Sequence, residues 1–263
     1  MTLLVLPFPA IDPVLIEIGP FALRWYALAY IGSIVLAWMW LRRLITLPPV
    51  AATREQLDDL ITWMTLGIIL GGRLGYVLFY RLADYVETPW EALYIWQGGM
   101  SFHGGALGVI LAVLWFCRRQ GIDALRVGDR VATVVPIGLG LGRLANFVNG
   151  ELWGRVSDVP WAMVFPTGGP LPRHPSQLYQ AFLEGFCLLV ALQLLLRVPA
   201  LRARRGFLTG AFLAGYGVAR SLGEMFRQPD AHLGFLFAGA TMGQLLSLPM
   251  ILVGMFLMLR ARA

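Results

Sequence analysis

Three arginines, Arg73, Arg143 and Arg220, stand inside long apolar runs of this chain. A guanidinium at mid-membrane depth costs about 2.5–3.5 kcal/mol on insertion scales unless it is paired or solvated. Helix packing gives no reason to retain it, so each is a candidate site residue. In the run Gly142–Arg155, a helix places Arg143, Asn146 and Gly150 on one face at i, i+3 and i+7. That face offers a guanidinium, an amide and a gap beside the backbone. At ~1.5 Å per residue, Arg143 lies about 8 Å below the nearer end of its segment, the depth of a phospholipid phosphate drawn slightly inward. The chemistry expected is anion binding, with a structural Arg143–Glu151 pair as the alternative.

Arg220, Glu224 and Arg227 repeat the pattern at i, i+4 and i+7, with Tyr216 one turn below. Two guanidiniums bridged by a carboxylate serve either as a second phosphate site or as a structural clamp. Arg73, in Gly71-Gly72-Arg73-Leu74-Gly75-Tyr76, is divided between a site and simple packing. His103, in Ser101-Phe102-His103-Gly104-Gly105, opens an apolar segment. Imidazole is suited to proton transfer near neutral pH, and a helix start lends free N–H groups to an anion. The three histidines, at 103, 174 and 232, lack ligand spacing, so no metal site is expected.

The elements that must hold these residues follow from composition. Of 263 residues, 58% are hydrophobic without counting the 30 glycines, and 14% are charged. Soluble chains hold roughly 45–50% apolar residues with glycine included and about 25% charged. The excess apolar surface needs lipid as its solvent. Apolar segments of spanning length fall near 22–41, 60–80, 101–117, 131–148, 176–196, 207–226 and 240–259. The expected fold is therefore all-α and polytopic, with seven transmembrane helices in a single domain. The fourth, interrupted by Pro136, Gly138, Gly140 and Gly142, is expected to bend or partly unwind. Glycines 67, 71 and 75 repeat every four residues, a close-packing pattern.

All 21 basic residues are arginine, which excludes lysine Schiff-base and lysine-nucleophile chemistry. The net charge of +6 does not point to nucleic acid, because most arginines flank apolar runs and no basic-aromatic module occurs. Arg42, Arg43, Arg54, Arg118, Arg119, Arg126, Arg130, Arg197, Arg202, Arg204, Arg205, Arg260 and Arg262 fall on one side, against Arg81, Arg155, Arg173 and Arg227 on the other. The positive-inside rule then puts the N-terminus outside and the C-terminus in the cytoplasm. Residues 150–175, rich in glycine and proline, are expected to form a small external head. The N-terminus lacks a basic n-region, so no cleaved signal peptide is expected. Cys117 and Cys187 read as inert thiols in apolar segments.

Taken in order, these stretches resemble the prolipoprotein diacylglyceryl transferases of bacterial inner membranes. The likeness covers nearly the whole chain. It runs from Asp12-Pro13-Val14, Gly19-Pro20 and Arg24-Trp25-Tyr26 through Gly72–Tyr76 and Phe102–Gly105, and centres on Gly142–Arg155. It continues in Arg173-His174-Pro175-Ser176-Gln177-Leu178-Tyr179, Tyr216-Gly217, Arg220, Glu224 and Phe226–Asp230, and ends at Met242-Gly243-Gln244 and Pro249-Met250. Ala145 departs from a frequent glycine but leaves Arg143 and Asn146 in place.

The resemblance implies a multi-pass inner-membrane enzyme with a small periplasmic head and no cofactor or metal. It would move the diacylglyceryl group of phosphatidylglycerol to the lipobox cysteine of a prolipoprotein signal peptide, forming a thioether and releasing glycerol phosphate. Arg143 and Arg220 are then expected to hold and neutralise the phosphate. His103 is the candidate base for the thiol, with Glu151 or Glu224 as rival. Asn146, Tyr26 and Tyr216 would orient the headgroup, and Gly154 would keep the approach open. The alternative from another class is a transporter or lipid flippase using the arginines as a transient anion site. The absence of paired inverted repeats speaks against it.

Overall fold

A computed structural model describes residues 6–9, 11–18, 21–229 and 234–262. Gly19-Pro20, Asp230 and His232 lie outside the described residues. The chain is mostly helical, and six helices are long and apolar enough to cross a membrane: Trp25–Leu44, Arg54–Tyr80, Phe102–Gln120, Ala124–Val148, Ser176–Arg197 and Met242–Arg260. This defines a multi-pass membrane protein. The seventh expected segment is also helical, at Phe207–Glu224, but Arg220 and Glu224 keep it less apolar than the six. The helices group into two compact units, residues 42–128 and the described residues up to 41 with those from 129 on.

In the unit of residues 42–128, α2 (Arg54–Tyr80) starts at a capping box in which Thr53 and Gln56 satisfy each other's backbone N–H. A short helix α3 (Leu82–Glu87) and two 3₁₀ turns, Pro89–Leu93 and Ile95–Gln97, lead to α4 (Phe102–Gln120), capped by Ser101. The glycine repeat does what its spacing predicts. A Cβ on Gly67 would lie 2.6 Å from the Gly108 carbonyl oxygen, and one on Gly71 would collide with that of Gly104. Backbones of α2 and α4 thus touch directly.

In the other unit, β1 (Leu6–Pro7) lies beside a later strand, and β2 (Val14–Ile18) with β3 (Phe21–Arg24) forms a hairpin leading into α1 (Trp25–Leu44). The fourth span is broken, as its proline suggests. Helix α5 (Ala124–Ala132) stops, Thr133 and Val134 turn, and α6 (Val135–Val148) begins with Pro136 in its first turn. Proline is tolerated there because its missing N–H would have no partner in a first turn. Glycines 138, 140 and 142, expected to loosen the segment, lie within regular helix.

After α6, β4 (Met163–Val164) pairs in parallel with β1, and α7 (Ser176–Gln180) runs through π-helical turns, Ala181–Cys187, into α8 (Leu188–Arg197). Helix α9 (Pro199–Ala203) is a single turn, followed by α10 (Phe207–Glu224) and α11 (Met242–Arg260). The buried carboxylate of Asp129 caps α10 from a distance, accepting from the Gly206 and Thr209 N–H groups at 2.8 Å each. Helices α10 and α11 pack through Gly210 and Gly254, where a Cβ on Gly210 would meet the Gly254 oxygen at 2.6 Å.

Candidate active site

Two helices are brought together by a glycine crossing. A Cβ on Gly185 would lie 2.6 Å from the Gly140 Cα, so α6 and the π-helical turns approach backbone to backbone. Arg143 lies one turn beyond Gly140, and Glu184 is the neighbour of Gly185. Their side chains meet accordingly: Arg143 Nη2 and Nε each donate to Glu184 Oε2 at 3.2 Å. From α10, Arg220 Nη1 approaches Glu184 Oε1 at 3.5 Å and its Nη2 pairs with Glu224 Oε1 at 2.7 Å. Arg143 and Arg220 therefore converge on one carboxylate.

Burial makes the arrangement costly. Glu184 is 0% exposed and Glu224 2%, while Arg143 and Arg220 keep 16% and 13% of their side-chain surface. Glu224 Oε1 also accepts from Arg227 Nη1 at 3.1 Å, and its Oε2 accepts from Thr241 Oγ1 at 2.7 Å. Arg143, Arg220 and Arg227 thus share the two buried carboxylates Glu184 and Glu224. Glu184 Oε1 and Arg220 Nη1 have no hydrogen-bond partner of good geometry.

Sequence spacing overlooked Glu184. It is the sole carboxylate among residues 176–197, and the membrane cost that singles out the arginines applies equally to it. The proposed Arg143–Glu151 pair does not form. Instead Glu151 Oε1 accepts from Asn146 Nδ2 at 2.8 Å and from Asn149 Nδ2 at 3.3 Å. Glu224, a rival for the base, is committed to Arg220, Arg227 and Thr241 and acts as a clamp for arginines.

Gly154 is closely packed. A Cβ there would meet the His174 oxygen at 2.6 Å and the Phe226 oxygen at 2.7 Å. It sits where three backbone segments cross, its N–H donating to the His174 oxygen at 2.9 Å. Arg155 ties the same crossing to α10, donating to the carbonyls of Arg227 at 3.1 Å and Glu224 at 3.2 Å.

Tyr216 stacks on Phe212 and packs on the Leu188, Leu192 and Ala211 core, within electrostatic range of Glu184 and Arg220. Tyr26 contacts Tyr30, hydroxyl to hydroxyl at 3.2 Å, within electrostatic range of Arg143 and Glu151. Near the crossing, Trp161 donates to the Tyr179 hydroxyl at 2.6 Å, which also contacts His174 Nδ1 at 3.1 Å. Partial burial holds the His174 imidazole below its usual pKa.

The unit of residues 42–128 holds the other two candidates. His103 is exposed in the first turn of α4, edge-on to Phe102. Arg73 is buried, and its guanidinium donates to the carbonyls of Ala92 at 2.8 Å, Glu91 at 2.7 Å and Gly98 at 2.6 Å. That is a structural use: Arg73 fastens the loop between α3 and α4.

The convergent, buried guanidiniums and carboxylates thus lie on α6, the π-helical turns and α10 of a multi-pass membrane protein. A family model described as prolipoprotein diacylglyceryl transferase matches residues 13–260. Relatives named phosphatidylglycerol--prolipoprotein diacylglyceryl transferase include that of Paramagnetospirillum magneticum, 59% identical over 96% of this chain and 94% of its own. Those of Rhodospirillum rubrum (59% identical, 99% and 96% covered) and Azospirillum brasilense (54%, 99% and 98%) match at similar depth. The chain belongs to the prolipoprotein diacylglyceryl transferase family. These names are those of a transferase and lend nothing to the transporter alternative.

Proposed function

We infer that this protein is an enzyme that transfers the diacylglyceryl group of phosphatidylglycerol to the cysteine thiol of a prolipoprotein. The convergence of Arg143 and Arg220 on buried Glu184, one oxygen of which has no hydrogen bond, carries this reading. A phosphodiester monoanion can replace that carboxylate as the partner of both guanidiniums. Departure of glycerol phosphate adds negative charge, which fixed guanidiniums in a low-dielectric site stabilise.

The reaction forms a C–S bond to the diacylglyceryl carbon and breaks that carbon's bond to the phosphate oxygen. The electron pair leaves with glycerol phosphate, and the thiol proton passes to a base. A thiol of pKa about 8.5 is only a few per cent ionised at neutral pH, so the base matters. His103 is our assignment for it, on the chemistry of imidazole. Asn146 and Glu151 make a polar shelf beside Arg143, and Tyr26 and Tyr216 flank the charges. Gly154 holds the backbone crossing behind them.

The proposed topology has α10 as a seventh span, its charges matched inside the protein. The arginine-rich ends face the cytoplasm of a bacterial inner membrane, and residues 150–175 form the periplasmic head. Order in that head is supported by Arg173, which donates to the Gly168 oxygen at 2.9 Å and lies over the Trp153 ring at 4.0 Å. The target is the lipobox cysteine of a signal peptide entering from the bilayer. In detergent with phosphatidylglycerol and a lipobox peptide, Arg143→Ala and Arg220→Ala are expected to insert normally and to lose at least ~10²-fold in thioether formation. Near-wild-type turnover in either folded variant contradicts the phosphate role.

A further inference from the structure

Two buried amides beside the charged cluster are not accounted for by the reading above. Gln177 and Gln180 are both 0% exposed. Gln177 Nε2 donates to the Glu151 carbonyl oxygen at 2.6 Å, but its Oε1 has no partner. Gln180 has none at either Nε2 or Oε1. Reversing the amide assignment changes nothing for Gln180, since both ends are vacant. Buried polar groups are nearly always hydrogen-bonded, and leaving one unmade costs its full desolvation.

Their position links them to the site. Gln177, Gln180 and Glu184 follow one another at one-turn spacing along the same helix. Gln180 packs against Gly223 of α10, where a Cβ would lie 2.9 Å from its Cγ. Gly223 adjoins Glu224 and stands one turn from Arg220. The two amides thus adjoin the residues that hold the arginines.

The unmet atoms specify a partner. They are two acceptors and one amino donor. A phosphate only accepts, so it satisfies Gln180 Nε2 and leaves both oxygens bare. An ammonium only donates and leaves Nε2 bare. A vicinal diol both donates and accepts through each hydroxyl and meets all three.

We propose that Gln180, with Gln177, reads the glycerol hydroxyls of the phosphatidylglycerol headgroup and so selects the donor lipid. The proposal rests on Arg143 and Arg220 being the phosphate anchors. When the phosphate takes those arginines, Glu184 is released from them, and the hydroxyls reach the adjoining amides. A site that hydrogen-bonds a substrate hydroxyl discriminates against the analogue that lacks it.

The test compares phosphatidylglycerol with phosphatidylpropanol, which has the same phosphodiester and no headgroup hydroxyls, in the lipobox-peptide assay. Wild-type protein is expected to favour phosphatidylglycerol in kcat/KM, and Gln180→Met to lower that preference about tenfold, the worth of one net hydrogen bond. The melting temperature of the lipid-free Gln180→Met protein is expected to hold or rise, because no internal hydrogen bond is lost. A wild-type protein indifferent to the two lipids overturns the proposal without any variant. So does a Gln180→Met protein that keeps the wild-type preference, whether its activity is full or reduced on both lipids alike; ordered water on the amides gives that result. Arg143→Ala separates the two readings, since it is expected to impair both lipids equally. Full activity there on both lipids indicts the phosphate anchors instead.

Discussion

Glu184 is the residue on which the charged cluster turns. It takes Arg143 and Arg220 together while wholly buried, so neutralising it leaves Arg143 without its carboxylate and Arg220 with Glu224 alone. Removing one member of a buried ion pair typically costs about 3–5 kcal/mol. Glu184→Gln is therefore expected to lower the melting temperature in detergent markedly, and added phosphatidylglycerol to recover part of the loss by binding the freed arginines. A variant as stable as wild type, with no response to lipid, contradicts the pairing. His174 carries a second expectation. Burial depresses its folded pKa, so the unfolded chain binds more protons in the window between the folded value and about 6.5. The stability contributed by neutral His174 is thus complete above the unfolded value and lost as pH falls through the folded one. The melting temperature should decline on acidification below about pH 6.5, and His174→Phe should flatten that decline.

Among elements, the crossing of α6 with the π-helical turns sets the site geometry, and glycines permit it. Gly185→Ala forces its Cβ against the Gly140 Cα, so one helix must move and carry Arg143 away from Glu184. We expect a loss of about 1–3 kcal/mol, typical of overpacking, and a large fall in transfer rate. Gly142→Ala is the control, for nothing lies within 4 Å of its Cβ, and helix propensity alone should stabilise by up to about 1 kcal/mol. Thermal unfolding and thioether formation in both variants check the pair; equal behaviour contradicts the crossing. The sequence made parts of this scale legible. Glycines 67, 71 and 75 announced the α2–α4 contact, and Pro136 announced the break before α6. The π-helical turns left no signal, because their residues are those of any apolar helix. The backbone crossing at Gly154 left no signal for a related reason: its neighbours, His174 and Phe226, are distant in sequence.

Over the whole molecule, apolar surface and charge answer to different surroundings. Leu70, Leu74 and Leu78 recur along α2 with more than half of each side chain exposed, a face suited to lipid. The charges of the Arg143–Glu184–Arg220 cluster sit instead among α6, the π-helical turns and α10, where they supply one another's partners. The arginines were legible as costly residues, but Glu184, Gln177 and Gln180 emerged only when the helices were assembled, since their meaning lies in what faces them. The central claim is that a lipid phosphate displaces Glu184 as partner of Arg143 and Arg220. Solid-state NMR on arginine-labelled protein in phosphatidylglycerol bilayers measures it directly, through dipolar coupling between phosphorus and guanidinium nitrogen. The expected result is coupling at two guanidiniums, lost one at a time in Arg143→Gln and Arg220→Gln. A spectrum with no such coupling at either, in protein that still binds the lipid, contradicts the account.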